Sequence, residues 1–191
     1  MIVTYFGNKC FRLQSGDTAI LIDSENNRLK ADVVLKTLAS TTREAIAEDS
    51  SAGILSFPGE YETKGIEITG FPITEESSEK FLKTAYVVEW EDMKFVFLGH
   101  LSRPLSASLM EEFFEPDILF LPADGGHFLE PEVAAKMVKQ LEAKIAIPSF
   151  TKDSSEFLKA LGKKSDPVEK FVFKQKDLIG EKGRPVILKA M

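Results

Sequence analysis

TYFGNKCFRLQSGDTAILID, residues 4–23, decides how this 191-residue chain begins to fold. Together with Ile2 and Val3 it predicts three short strands, at residues 2–5, 10–13 and 18–23. Gly7-Asn8 and Ser15-Gly16-Asp17 separate them, and such residues favour tight turns over continued extension. The opening is therefore an antiparallel meander.

Outward from the meander the pattern changes. Residues 33–35 form a short apolar run suited to a buried strand. Thr41 and Glu44 have the spacing of a capping box, predicting a helix to about Asp49. Residues 53–55, 66–69, 86–90 and 95–98 read as strands, with Glu91-Asp92 as the hairpin turn between the last two. Helices are predicted at residues 106–114, from Pro131 onward, and from an Asp153/Glu156 cap to about Leu161. Val133, Ala134, Met137, Val138 and Leu141 share one face of the middle one. Strands at 118–121, 145–147, 168–173 and 186–188 complete the list. Meanders followed by strand–helix alternation imply an α/β (α+β) domain. Its expected form is a four-layer αββα sandwich of two mixed sheets, spanning residues 1–191 as one domain. Residues 74–80 (TEESSEK) are the expected loosest stretch.

Composition narrows the function. A 43% hydrophobic and 28% charged chain is ordinary for a globular domain, which argues against disorder. No run of 18 apolar residues exists, so no membrane helix is expected, and the first residues lack a signal-peptide pattern. A net charge of −6 disfavours nucleic acid as a partner. The lysines at 163, 164, 170, 174 and 176 are interleaved with acids and read as a solvated face. The single cysteine, Cys10, excludes an internal disulfide and reads as a small buried hydrophobe, in keeping with a cytoplasmic setting. No Walker motif, G-x-S-x-G elbow or C-x-x-C pair is present.

Residues 4–23, ADVVL (31–35), FPGEYETKGIEITG (57–70) and VFLGHLSRPL (96–105) are similar to one branch of the metallo-β-lactamase superfamily. DILFLPADGG (117–126), KMVKQLEAKIAIP (136–148) and EKFVFKQKDL (169–178) extend the match. The branch comprises small cytoplasmic Zn-dependent hydrolases of the β-lactamase fold, akin to ascorbate-phosphate lactonases. The resemblance implies an H-x-H-x-D-H run after ADVVL that holds two zincs and an attacking hydroxide. Here Leu38 and Ser40 stand for the first two histidines, and Thr42 and Arg43 for the Asp-His pair. A further family histidine aligns near Glu75, the bridging aspartate with His100, and the last histidine with Phe150. Leu38 and Phe150 offer no lone pair, and Arg43 is a permanent cation. Independently of alignment, a His-rich dinuclear site needs about five histidines, and this chain has only His100 and His127.

No metal or cofactor is therefore expected. The expected function is a degenerate, non-catalytic module that binds a small molecule or a protein partner. That partner could be a second copy of the chain or an active relative. The alternative is a metal-dependent hydrolase, of the lactone or phosphoester class, with a displaced or mononuclear site. The vestigial cleft is expected to gather Leu38, Ser40, Thr42, Arg43, Glu60, Glu75, His100, His127 and Phe150. Within it, Leu38 and Phe150 would plug the apolar part and Arg43 would pair with Glu75. Ser40, Thr42 and His100 would hydrogen-bond around that pair. Glu60 and Tyr61 of PGEYE either line the pocket or fix a loop. Asp124-Gly125-Gly126 is either an anion-binding loop or a tight turn.

Overall fold

Alternation of side chains along extended segments builds most of this protein, as seen in a computed structural model that describes residues 1–7, 9–25, 28–149 and 153–191. The elements run β1 (Ile2–Tyr5), β2 (Phe11–Ser15), β3 (Thr18–Ile22), β4 (Val33–Leu35), β5 (Leu38–Ser40), α1 (Arg43–Ser51) and β6 (Ile54–Leu55). Then come β7 (Gly59–Thr63), β8 (Ile66–Pro72), β9 (Phe81–Trp90), β10 (Met93–Phe97), α2 (Ala107–Glu112) and β11 (Ile118–Pro122). The chain closes with α3 (Pro131–Gln140), β12 (Ile145–Ser149), α4 (Ser155–Leu161), β13 (Lys170–Val172) and β14 (Arg184–Pro185).

Two mixed sheets result. The first has the order β13-β1-β2-β3-β4-β6, and the second β14-β12-β11-β10-β9-β8-β7, with β5 added on β9. In the first, β1, β2 and β3 are antiparallel and β3, β4 and β6 parallel. In the second, β10, β11, β12 and β14 are parallel and β7 to β10 antiparallel.

The sheets meet face to face. Val3, Leu13, Ile20 and Leu35 of the first share a core with Tyr86, Phe95, Phe97 and Ile147 of the second. The opposite face of the second sheet is also buried. Ala85, Val87, Val96 and Leu119 pack there against Ala134, Met137 and Val138 of α3 and Phe157 of α4. Parallel strands covered on both faces read as continuous apolar runs, and Ile118–Pro122 and Ile145–Ser149 are buried at every position. On the other flank α1 packs against β5 and β6, and its one buried residue is Asp49. Lys36 donates to that carboxylate at 2.9 and 3.2 Å.

Several boundaries differ from expectation. The cap of α1 is Thr42, whose hydroxyl accepts from the Ala45 N–H, while Thr41 donates to the Glu79 carbonyl. The capping-box spacing points to Thr41, but its hydroxyl is taken by the Glu79 carbonyl and the helix starts one residue later. The cap of α4 is Ser154, with Asp153 accepting from the Ser155 N–H and hydroxyl. β5 and β7 were not expected, because three residues or a Gly-Glu-Tyr-Glu-Thr run carry little intrinsic strand signal. Residues 186–188 are not a strand; the pairing falls on Arg184–Pro185, with an isolated bridge from Val168 to Leu188.

Candidate functional site

Three strands end at the same end of the sandwich, and the residues just beyond them meet. Asp23 follows β3, Thr37 follows β4, and Gly99-His100 follow β10. The parallel register of β3 and β4 sets Ile22 beside Leu35, so the Asp23 N–H donates to the Leu35 carbonyl at 2.8 Å. Crevices beyond the carboxyl ends of parallel strands are where α/β sheets bind ligands.

The contact is a chain of hydrogen bonds. Asp23 Oδ1 accepts from the Thr37 N–H at 2.7 Å, and Oδ2 accepts from the Thr37 hydroxyl at 2.5 Å. Thr37 Oγ1 lies 2.8 Å from His100 Nδ1, and His100 Nε2 lies 3.2 Å from Lys9 Nζ. One direction satisfies every member. A hydroxyl has one proton; given to Asp23, it leaves Oγ1 to accept from Nδ1–H. Nε2 is then the ring's acceptor, and the Lys9 ammonium donates to it. Gly99 allows the approach: its φ is +51°, and a Cβ there would stand 2.2 Å from Thr37 Oγ1.

Electrostatics follow the geometry. Burial pushes the Asp23 carboxyl up to about 6, opposed by the two Thr37 hydrogen bonds and by the charges of Lys9 and Lys36. Burial, then the Lys9 and Lys83 ammonium groups, holds the His100 imidazole down at about 3. The ring is neutral at physiological pH, as the hydrogen-bond direction requires. Burial also pushes the Cys10 thiol up, so it is a poor nucleophile.

A second network grips the same turn. Lys83 Nζ donates to the His100 carbonyl at 2.7 Å and to Glu76 Oε2 at 2.6 Å. Glu76 also accepts from the Ser102 N–H and hydroxyl and from the Arg103 N–H. Burial works to raise the Glu76 carboxyl, but the Lys83 and Ser102 donors outweigh it and hold it below the usual range. Residues 74–80, expected to be the loosest stretch, thus contain a carboxylate whose side chain is 4% exposed.

Only part of the expected cleft converges. Leu38 is half-buried beside Thr37 and pairs across strands with Lys83. Ser40 donates to Thr42 Oγ1 at 3.3 Å. Arg43 and Glu75 are exposed, and no ion pair joins them; the buried acid is the next residue, Glu76, and its cation is Lys83. The expected pairing fails because the 3-10 turn at Thr74–Glu76 points Glu76 inward and leaves Glu75 outward. Glu60 is exposed on the edge strand β7, and His127 is exposed in the loop before α3. Tyr61 packs on the core and donates to the Phe57 carbonyl at 3.0 Å. The Gly125-Gly126 loop is filled from within: Glu130 accepts from the Gly126 N–H, and its carboxylate occupies the space a Gly125 Cβ would need. Phe150 lies outside the described residues.

Sequence reading missed Lys9, Asp23, Thr37, Glu76, Lys83 and Ser102. A charged residue closing the apolar run AILID was a usable signal for Asp23, since burial of a carboxylate demands partners. Glu76 carried none, because TEESSEK has the composition of a solvated loop.

The fold is an α/β sandwich of two mixed sheets with helices packed outside. Residues 2–149 match the Beta-lactamase superfamily domain, and the chain belongs to that family. It is 28% identical over 102 residues to a UPF0173 metal-dependent hydrolase of Methanopyrus kandleri. That match covers 49% of this chain and 44% of the relative, less than half of the relative's length. Among solved structures it resembles one from Thermotoga maritima described as a Zn-dependent hydrolase of the metallo-β-lactamase superfamily. The TM-score is 0.77 at 24% identity, over 98% of this chain and 97% of that one. It also resembles the metallo hydrolase Igni18 from Ignicoccus hospitalis, with TM-score 0.67 at 20% identity over 91% and 99% of the two chains. The metallo-β-lactamase fold protein YhfI from Bacillus subtilis gives 0.65 at 13% identity over 98% and 95%. At these identities the likeness is one of fold.

Such relatives imply a metal centre, and the residues at this end do not fit one. Among the described residues no three His, Cys, Asp or Glu side chains group as metal ligands. A metal on His100 Nε2 would sit about 2 Å from that nitrogen, on the side where the Lys9 ammonium approaches to 3.2 Å. Nδ1 faces Thr37. Among the described residues no helix is long and apolar enough to cross a membrane.

Proposed function

We propose that this chain is a metallo-β-lactamase-fold protein that has exchanged metal-dependent hydrolysis for binding. It acts as a small-molecule-binding or assembly module. The observation that carries this reading is the state of His100: both ring nitrogens are engaged, one by a threonine hydroxyl and one by an ammonium group. In metal-assisted hydrolysis a cation generates the attacking hydroxide. Lys9 supplies positive charge here, but an ammonium has no vacant orbital to bind water or a carbonyl oxygen.

The alternative, a hydrolase with a displaced or mononuclear metal, draws support from the metal-dependent hydrolases among its relatives. One experiment separates the two. Protein purified without chelator is analysed for zinc, iron and manganese, then assayed on lactones and phosphodiesters with each metal added. Binding without catalysis predicts well under one metal per chain and no rate above background. Stoichiometric metal, or a metal-stimulated rate lost in His100→Ala, would establish the hydrolase instead.

A further inference from the structure

A cavity of about 270 Å³ opens beside the outer members of the Asp23–Thr37–His100–Lys9 chain. Asp23, Glu25 and Lys9 line its polar side, and Phe6, Leu29 and Met191 its apolar side. Its volume lies just below the usual range of ligand sites, so it suits a small molecule.

The charges are unbalanced. Asp23 is 5% exposed and lines the cavity, yet among the described residues no Lys or Arg forms an ion pair with its carboxylate. Its hydrogen bonds come from one neutral residue, Thr37, and use one lone pair on each oxygen. A carboxylate offers about four acceptor positions, so two remain. The Lys9 ammonium is directed to His100 Nε2 and, at 3.3 Å, to Glu25 Oε1. Among the described residues that line the cavity, two carboxylates, Asp23 and Glu25, face one ammonium, Lys9. A buried carboxylate without a contacting cation is costly, and a cation arriving beside it recovers that cost. Burial pushes the Asp23 carboxyl up, and the Thr37 hydrogen bonds and the more distant charges of Lys9 and Lys36 only partly offset it.

We infer that this cavity is a binding site for a small primary amine in its ammonium form. The ammonium would donate to Asp23 and Glu25, with a short apolar tail against Phe6, Leu29 and Met191. This inference rests on the reading of the cleft as a metal-free binding module. An anionic ligand is disfavoured, because Lys9 is already shared and both carboxylates would repel it. A neutral ligand of the same shape would fill the apolar half and leave the charge uncompensated.

The test is an amide-resonance titration of the full chain with n-butylammonium chloride, butan-1-ol and sodium butanoate. Butylammonium should give saturable shifts at Cys10 and Thr37 with a Kd of about 1 mM, as suits so small a ligand. The alcohol and the carboxylate should bind at least about tenfold more weakly. Glu25→Gln, an exposed change that leaves the core untouched, should weaken binding about threefold. Asp23→Asn should abolish it. Equal or tighter binding of butanoate would overturn the inference, as would butylammonium shifts indifferent to both substitutions or absent altogether. Metal analysis of the same sample keeps the two failures apart. Stoichiometric metal sinks the binding-module reading itself, whereas a metal-free, inert protein that ignores butylammonium sinks only the amine site.

Discussion

Asp23 reaches His100 through Thr37, and Glu76 binds the turn just after His100; their side chains are 2% and 4% exposed. Yet burial drives the Asp23 carboxyl up to about 6, while Glu76 is held below its usual range. The partners differ. Glu76 has the Lys83 ammonium at 2.6 Å and three N–H or O–H donors from Ser102 and Arg103. Among the described residues, Asp23 has the two donors of Thr37. Asp23 is the more deeply buried of the two and lacks the contacting cation that Glu76 has, and both differences push their carboxyls apart. The Glu76 side therefore fixes the turn, and the Asp23 side stores an uncompensated charge next to a cavity.

Removing the cation should break the contrast most severely. Lys83→Met leaves Glu76 buried and unpaired and the His100 carbonyl without its donor. Urea unfolding should show a loss of about 3 kcal/mol or more. Adding Glu76→Gln should recover a large part of it. A loss below about 1 kcal/mol would mean that the pair does not hold the turn.

Acid should sharpen the contrast next. Asp23 has its folded pKa raised from 3.8 to about 6, so its contribution is present below pH 3.8 and lost as pH rises through 6. That contribution is about 3 kcal/mol. His100 has its folded pKa lowered from 6.5 to about 3, so its contribution is present above pH 6.5 and lost as pH falls through 3. Between about pH 4 and 6 the folded chain gains a proton at Asp23 while the unfolded chain gains one at His100. The two effects cancel, and this pair adds no slope there. In Asp23→Asn only the histidine remains. Its stability relative to the parent should fall by about 1.4 kcal/mol for each unit by which the pH is lowered across that window. Parallel pH profiles of the two proteins would disprove the opposed shifts.

Thr37→Val removes the hydroxyl that links the carboxylate to the imidazole and should cost about 2 kcal/mol. An unchanged midpoint in chemical denaturation would show that Asp23 and His100 do not depend on it. The smallest effects belong to the expected but unformed pair. Arg43→Ala and Glu75→Gln should each change stability by less than about 0.5 kcal/mol, because both residues are exposed. A larger coupled effect in the double variant would restore the pairing that the structure lacks.

What could be read in advance was periodicity and substitution. Alternation in residues 4–23, the apolar runs at 118–121 and 145–147, and the α3 face around Met137 follow from local geometry. Period 2 and period 3.6 leave their mark on any stretch long enough to repeat. β5 and β14 escaped because Leu-Ala-Ser and Arg-Pro hold no full repeat and, unlike the equally short β4 and β6, form no apolar run. Within the site, His100 was legible because a histidine is rare in this chain and stands at an informative place in VFLGHLSRPL. Lys9 and Lys83 were not, being two ordinary lysines among many.

The sequence by itself determined that the chain folds as two mixed sheets with helices and that it resembles metal-dependent hydrolases; the resemblance implies that Leu38, Ser40, Thr42 and Arg43 stand in place of a metal-binding run. Those conclusions need only side-chain chemistry and order along the chain. Which residues answer those substitutions was decided by tertiary structure alone. Lys9 reaches His100 from 91 positions away, Thr37 from 63, and Ser102 reaches Glu76 from 26. Hydrogen bonds and ion pairs act over a few ångströms of space, and no pattern along the chain reports which distant residues the fold will bring within that reach.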